Sequence, residues 1–150
     1  MPAGPTIAPM NGINYYERVR DVLRGKRGHG HDESYEELRD FYRVFMVPGM
    51  AHCSGGEGAN AFGNGTNGTV IDEDHDLLRA LEAWVEHGVA PRKIIGTHYV
   101  NNTPASGVEF QRPLCPYPEI ARYKGAPADS TQASGFVCVR DERDDDPRNR

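Results

Sequence analysis

The sequence predicts a loop-rich α/β chain, with helices packed on a few sheet strands and a hairpin towards the C-terminus. Two amphipathic stretches, at residues 13–24 and 74–87, supply the helices. A near-continuous apolar run at residues 41–47, bounded by Pro48-Gly49, reads as a strand covered on both faces, as in a parallel sheet. The 17 glycines and 11 prolines among 150 residues require many turns.

The chain begins with an extended lead-in, because Pro2, Pro5 and Pro9 exclude a helix interior. Asn11 then caps a helix whose face is Ile13, Tyr16, Val19 and Leu23, and Gly25 stops it. Residues 25–33 are a polar insertion, and residues 35–40 give a short helical turn. After the strand at 41–47, residues 55–68 hold six glycines and must be loop. Asp72 or Asp74 caps the second helix, whose apolar stripe is Leu77, Leu78, Leu81, Trp84 and Val85; His87-Gly88 and Pro91 punctuate its end. Residues 94–100 and 108–114 form a hairpin across the turn-rich segment 101–107. Prolines 113, 116 and 118 break regularity around Cys115, and residues 136–139 form a last short strand.

Length allows one domain, at residues 1–139, followed by a mixed-charge, solvated tail at 140–150. A net charge of −5 argues against a nucleic-acid partner. No apolar run approaches the roughly 20 residues of a membrane span. Residues 1–9 have neither the basic start nor the apolar core of a signal peptide, so any export signal is expected outside this chain. The three cysteines, Cys53, Cys115 and Cys138, are an odd number; in an extracellular protein that means one internal bridge and one thiol whose partner lies elsewhere. Sequons at Asn64, Asn67 and Asn101 favour the same compartment. A Cys115–Cys138 bridge would tie the proline-rich segment to the last strand; two buried thiols are the alternative.

The candidate chemistry centres on residues 45–56, where an apolar run gives way to Pro48-Gly49 and then to His52. A loop after a strand lets an imidazole swing between a nucleophile and a leaving group. Ser54 does not fit a nucleophile elbow, because loop rather than helix follows it. His29, His31 and Asp32 form a short cluster without H-E-x-x-H or C-x-x-C spacing, so a solvated loop is preferred to a metal site. His75 and His87 flank a helix as surface or cap residues. His98 alternates with apolar positions on its strand and shows no partner in the sequence.

Four segments together resemble the C-terminal part of the tannase and feruloyl esterase family of serine esterases. They are Asn14-Tyr15-Tyr16-Glu17-Arg18-Val19; Phe45-Met-Val-Pro-Gly-Met-Ala-His52-Cys53-Ser-Gly-Gly; Leu78 through Pro91; and Arg112-Pro-Leu-Cys115-Pro-Tyr-Pro-Glu with Phe136-Val-Cys138-Val. The resemblance implies the C-terminal part of an α/β-hydrolase domain acting through a Ser-Asp-His triad on esters of aromatic acids, such as feruloyl or galloyl esters. It puts His52 at the general base and Cys115 with Cys138 in a family disulfide. Cys53 falls on a cysteine whose bridging partner, beside the nucleophilic serine, would precede Met1. The same resemblance puts the nucleophile, the oxyanion hole and a lid with a calcium site before Met1, and so no cofactor in this chain. Its acidic triad position falls on Gly4, where no carboxylate stands. The expectation is a secreted-type esterase fragment, inactive alone; the alternative is a non-catalytic binding module derived from such an esterase.

Overall fold

The computed structural model describes residues 10–27, 31–63 and 70–140. Several expectations therefore lie outside the described residues: the lead-in with Gly4, His29, the side chains of His31 and Asp32, the sequons at Asn64 and Asn67, and the tail from 141. The described residues fall into two compact units, one within Ala3–Val44 and one within Phe45–Arg150.

In the first unit, α1 spans Met10–Arg27 and α2 spans His31–Arg39. Helix α1 starts one residue before the expected cap and runs through Gly25. A glycine inside a helix costs only about 1 kcal/mol relative to alanine, so Gly25 alone does not end it. The expected face is present, with Tyr16 fully buried and Ile13, Val19 and Leu23 half-buried. Tyr16 stacks on Tyr35 of α2, with ring centroids 6.3 Å apart, and meets the edge of Tyr42 at 5.1 Å. Leu38 and Ser34 close this small core. Arg20 Nη1 donates to the Tyr35 hydroxyl at 2.7 Å, and that hydroxyl donates to Glu17. Burial pushes the Tyr16 hydroxyl pKa up, against the opposing pull of Arg39.

The strand expected at residues 41–47 is not formed among the described residues. The Tyr42 N–H is used by the end of α2, donating to Leu38 O at 2.9 Å, and the Arg43 side chain bonds back to Arg39 O at 2.8 Å. Further along, Phe45 makes a single antiparallel bridge, to Pro116. Proline has no N–H with which to extend a ladder. The ladders observed are antiparallel throughout, in place of the expected parallel sheet.

The second unit holds α3 (Leu77–His87) and the strands β1 (Ile94–Tyr99), β2 (Val108–Leu114), β3 (Glu119–Tyr123) and β4 (Phe136–Arg140). Strands β1 and β2 form the expected hairpin, from Ile94 opposite Leu114 to His98 opposite Phe110. A bulge follows, with Tyr99 opposite Val108, so Glu109 is the extra residue. Strands β3 and β4 form a second antiparallel pair. The sequence hides β3 because it is short, largely exposed and set close behind Pro116 and Pro118. A disulfide joins Cys115, just after β2, to Cys138 of β4, with Cα atoms 5.6 Å apart.

Asp76, not Asp72 or Asp74, is the N-cap of α3, accepting from the backbone N–H groups of Leu78 and Arg79. Gly88 caps the other end in the left-handed region, at φ 72°. The face turned to the core carries Ala80 and Ala83, and the bulky stripe of Leu77, Leu78, Leu81 and Val85 is exposed. Ala80 packs with Phe62, Ile94 and Leu114, against which Phe45, Val47 and Met50 are half-buried. This cluster anchors both β1 and the segment leading to His52.

Candidate active site

His52 stands at the tip of a tight backbone loop. Met50 and Gly56 form an antiparallel bridge, the Ala51 N–H donates to Gly55 O at 3.0 Å, and the Gly58 N–H donates to Gly49 O at 3.1 Å. Cys53, next to His52, has φ 65°, a sparsely populated region for a residue with a Cβ. Two glycines make the narrow neck possible. A Cβ on Gly58 would lie 1.9 Å from Pro48 O, and one on Gly56 would lie 2.2 Å from Gly49 O. The run expected to be loop is loop over its described residues, and its first part is close-packed backbone.

The His52 side chain is exposed, as are Ala51 and Cys53. Among the described residues no hydrogen bond holds the His52 ring, so the structure does not bring it together with a carboxylate or a nucleophile. Ser54 lies in the same turn, with no helix behind it. No group of three or more His, Cys, Asp or Glu side chains able to hold a metal is gathered among the described residues.

The neck of the loop rests on two buried polar side chains that sequence reasoning did not connect. Asn60, 2% exposed, donates from Nδ2 to the carbonyls of Gly56 and Gly58, both at 3.1 Å, and to Asn102 Oδ1 at 2.7 Å. His98, 6% exposed, places Nδ1 2.9 Å from Gly58 O. Its ring stacks on Phe110 at 4.8 Å, and Nε2 lies 3.6 Å from the Glu109 carboxylate. A polar residue alternating with apolar ones on a doubly covered strand was the available signal for His98.

A second histidine–carboxylate pair, His75 with Asp72 at 2.8 Å, serves the entry to α3. Asp72 Oδ1 also accepts from the Asp74 and His75 backbone N–H groups. A surface hollow of about 560 Å³ beside α3 is lined largely by carboxylates, among them Asp72, Glu82 and Glu86, and does not include His52.

Residues 2–139 match the family model described as tannase and feruloyl esterase. The chain belongs to the tannase and feruloyl esterase family. An uncharacterized esterase from Xanthomonas campestris is 41% identical over 143 residues, which cover 93% of this chain and 25% of that protein. A probable feruloyl esterase B-2 from Neosartorya fischeri is 42% identical over 136 residues, covering 89% and 24%. The crystal structure of feruloyl esterase B from Aspergillus oryzae superposes with a TM-score of 0.73 at 34% identity, over 89% of this chain and 24% of that one. The chain thus spans about a quarter of the length of the curated relatives it matches. The mixed helix-and-sheet architecture agrees with the α/β type of these esterases. Among the described residues no helix is long and apolar enough to cross a membrane.

Proposed function

We propose that this chain is the C-terminal, histidine-bearing part of an α/β-hydrolase that hydrolyses carboxylic esters of aromatic acids, with His52 as general base. The observation that carries this reading is the position of His52, exposed at the tip of a backbone-locked loop within the family match. Relatives described as feruloyl esterases support the substrate class. In this reading the serine nucleophile and the acidic partner come from polypeptide outside these 150 residues, as does any calcium site. Cys53 bridges to a cysteine there, and the protein is secreted, in keeping with the disulfide it contains.

The chemistry asked of His52 is two proton transfers. The imidazole takes the serine proton as Oγ attacks the ester carbonyl, then gives it to the departing alcohol, leaving an acyl-serine. Water repeats the sequence: His52 takes its proton, the acid is released, and serine regains a proton. The loop suits this work because its tip is open while its neck is fixed.

The test is a chimera in which this chain replaces the matching quarter of the Xanthomonas esterase, assayed on methyl ferulate. The chimera is expected to hydrolyse the ester, His52→Ala to lower kcat at least about 100-fold, and the 150 residues alone to be inactive. Undiminished activity in the His52→Ala chimera, or His52-dependent hydrolysis by the isolated chain, would overturn the proposal.

A further inference from the structure

We infer that His98 and Asn60 are positioning residues for His52: a buried pair that grips the carbonyls at the neck of the loop and so sets where the imidazole stands. The inference rests on the reading of His52 as general base.

The need for such a grip follows from the loop itself. Gly49, Gly55, Gly56 and Gly58 offer no side chains with which to brace it, and the first three sit at positive φ. The two backbone bonds across the neck tie the loop only to itself. Met50 packs one side of the neck on the core, and His98 and Asn60 supply the polar connection to the body of the protein. His98 belongs to β1, which is bonded to β2 on one side and to Ala61, through Thr97, on the other. Its ring is clamped against Phe110 and is almost wholly buried. Asn60 is held by Asn102, whose backbone sits in the left-handed region at φ 55°. Gly58 O thus receives two donors, from His98 Nδ1 at 2.9 Å and from Asn60 Nδ2 at 3.1 Å.

This geometry fixes the His98 tautomer. Bonding to a carbonyl requires the proton on Nδ1, which leaves Nε2 facing Glu109. The 3.5 Å approach of Asn60 Nδ2 to the same Nδ1 sets two donors side by side and is packing rather than a bond. A buried histidine with its ring stacked on Phe110 and Nδ1 committed to Gly58 O is a rigid strut. A catalytic imidazole displaced by about 1 Å can lose two orders of magnitude in rate.

The test uses the isotopically labelled 150-residue chain. In the wild type, ring nitrogen shifts of His98 are expected to show a protonated Nδ1; an Nε2–H tautomer would overturn the inference without any variant. His98→Asn keeps a donor near the Nδ1 position, whereas His98→Leu removes it. His98→Leu is expected to speed amide exchange at Ala51 and Gly58 at least 10-fold and to broaden the His52 ring signals. His98→Asn should stay within about threefold of wild type, and amides of the β1–β2 ladder should be unchanged in both. Equal acceleration of the ladder amides would reduce His98 to an ordinary stabilising residue, and no change at Ala51 and Gly58 would remove the grip altogether. In the chimera, His98→Leu should lower kcat with little change in KM. Activity surviving His52→Ala would sink the general-base reading instead, through a measurement independent of the exchange data.

Discussion

Ala61 and Thr97 exchange a reciprocal pair of backbone hydrogen bonds, 3.0 Å from Ala61 N–H to Thr97 O and 2.8 Å from Thr97 N–H to Ala61 O. The pair stitches the exit of the His52 loop to β1. It brings the Ala59 carbonyl against Gly96, where a Cβ would lie 2.7 Å from Ala59 O and 3.1 Å from Ala59 Cβ. Gly96→Ala should therefore cost about 1–3 kcal/mol through overpacking, read as a lower midpoint in urea. A loss below about 0.5 kcal/mol would mean that the loop exit yields to β1 rather than being fixed by it.

Gly56→Ala is expected to be harsher. The added methyl would meet Gly49 O at 2.2 Å, and the residue sits at φ 98°. Overpacking and backbone strain each contribute on the order of 1–3 kcal/mol. The variant should melt at lower temperature, and in the chimera it should lower kcat, because the neck that holds His52 cannot close. Wild-type kcat in a folded Gly56→Ala chimera would show that the close approach at the neck does not matter for catalysis.

The contrast between these glycines and the apolar strand shows what the sequence made legible. Helix α3 and the β1–β2 hairpin announced themselves by periodicity and punctuation, because a 3.6-residue stripe and a Gly/Pro boundary are local properties. Placement of the burial was not local. Leu78, Leu81 and Val85 look like a core stripe, yet Ala80 and Ala83 form the close-packed face. Residues 41–47 look like a strand, yet a ladder needs a partner with donors, and the observed neighbour of Phe45 is Pro116. The loop around His52 was legible from Pro48-Gly49 and the glycines that follow. Asn60 and His98 were not, because the backbone carbonyls they grip carry no sequence signal and Asn102 lies 42 positions from Asn60.

The inverted burial on α3 makes a direct prediction. Ile94, 1% exposed, lies in the cluster with Ala80, whereas Leu81 is 50% exposed. Ile94→Ala should cost about 2–5 kcal/mol, and Leu81→Ala under about 1 kcal/mol, both from urea denaturation. Equal costs would place Leu81 in a core that the structure does not show.

The Cys115–Cys138 bridge closes a loop with a sequence separation of 23 and fastens β4 to the end of β2. Cys115→Ser with Cys138→Ser should destabilise the chain by about 3 kcal/mol on the chain-entropy account. Cys115 is followed by Pro116, which bridges Phe45 ahead of the His52 loop. Loss of the bridge should therefore also speed amide exchange at Gly58. Unchanged stability in the double variant would show that β3–β4 packs independently of the crosslink.

Asp72 makes stability depend on acid. Burial is the largest influence on its carboxyl and pushes the pKa up, but donation from the His75 side chain and backbone outweighs it, and the net shift is below the ordinary 3.8. A carboxylate with a depressed folded pKa adds stability above its unfolded pKa and loses it as pH falls through the folded value. The contribution is therefore whole at neutral pH and disappears at pH values under 3.8. The side chain is 48% exposed, so solvent screening limits the effect to under about 1 kcal/mol. Asp72→Asn keeps an oxygen for the Asp74 and His75 N–H groups and removes only the charge. Urea unfolding should find this variant less stable than wild type at pH 6 and the gap closing by pH 2.5 or so. A gap that persists in acid would assign the effect to the turn geometry at the entry to α3 rather than to the Asp72 charge.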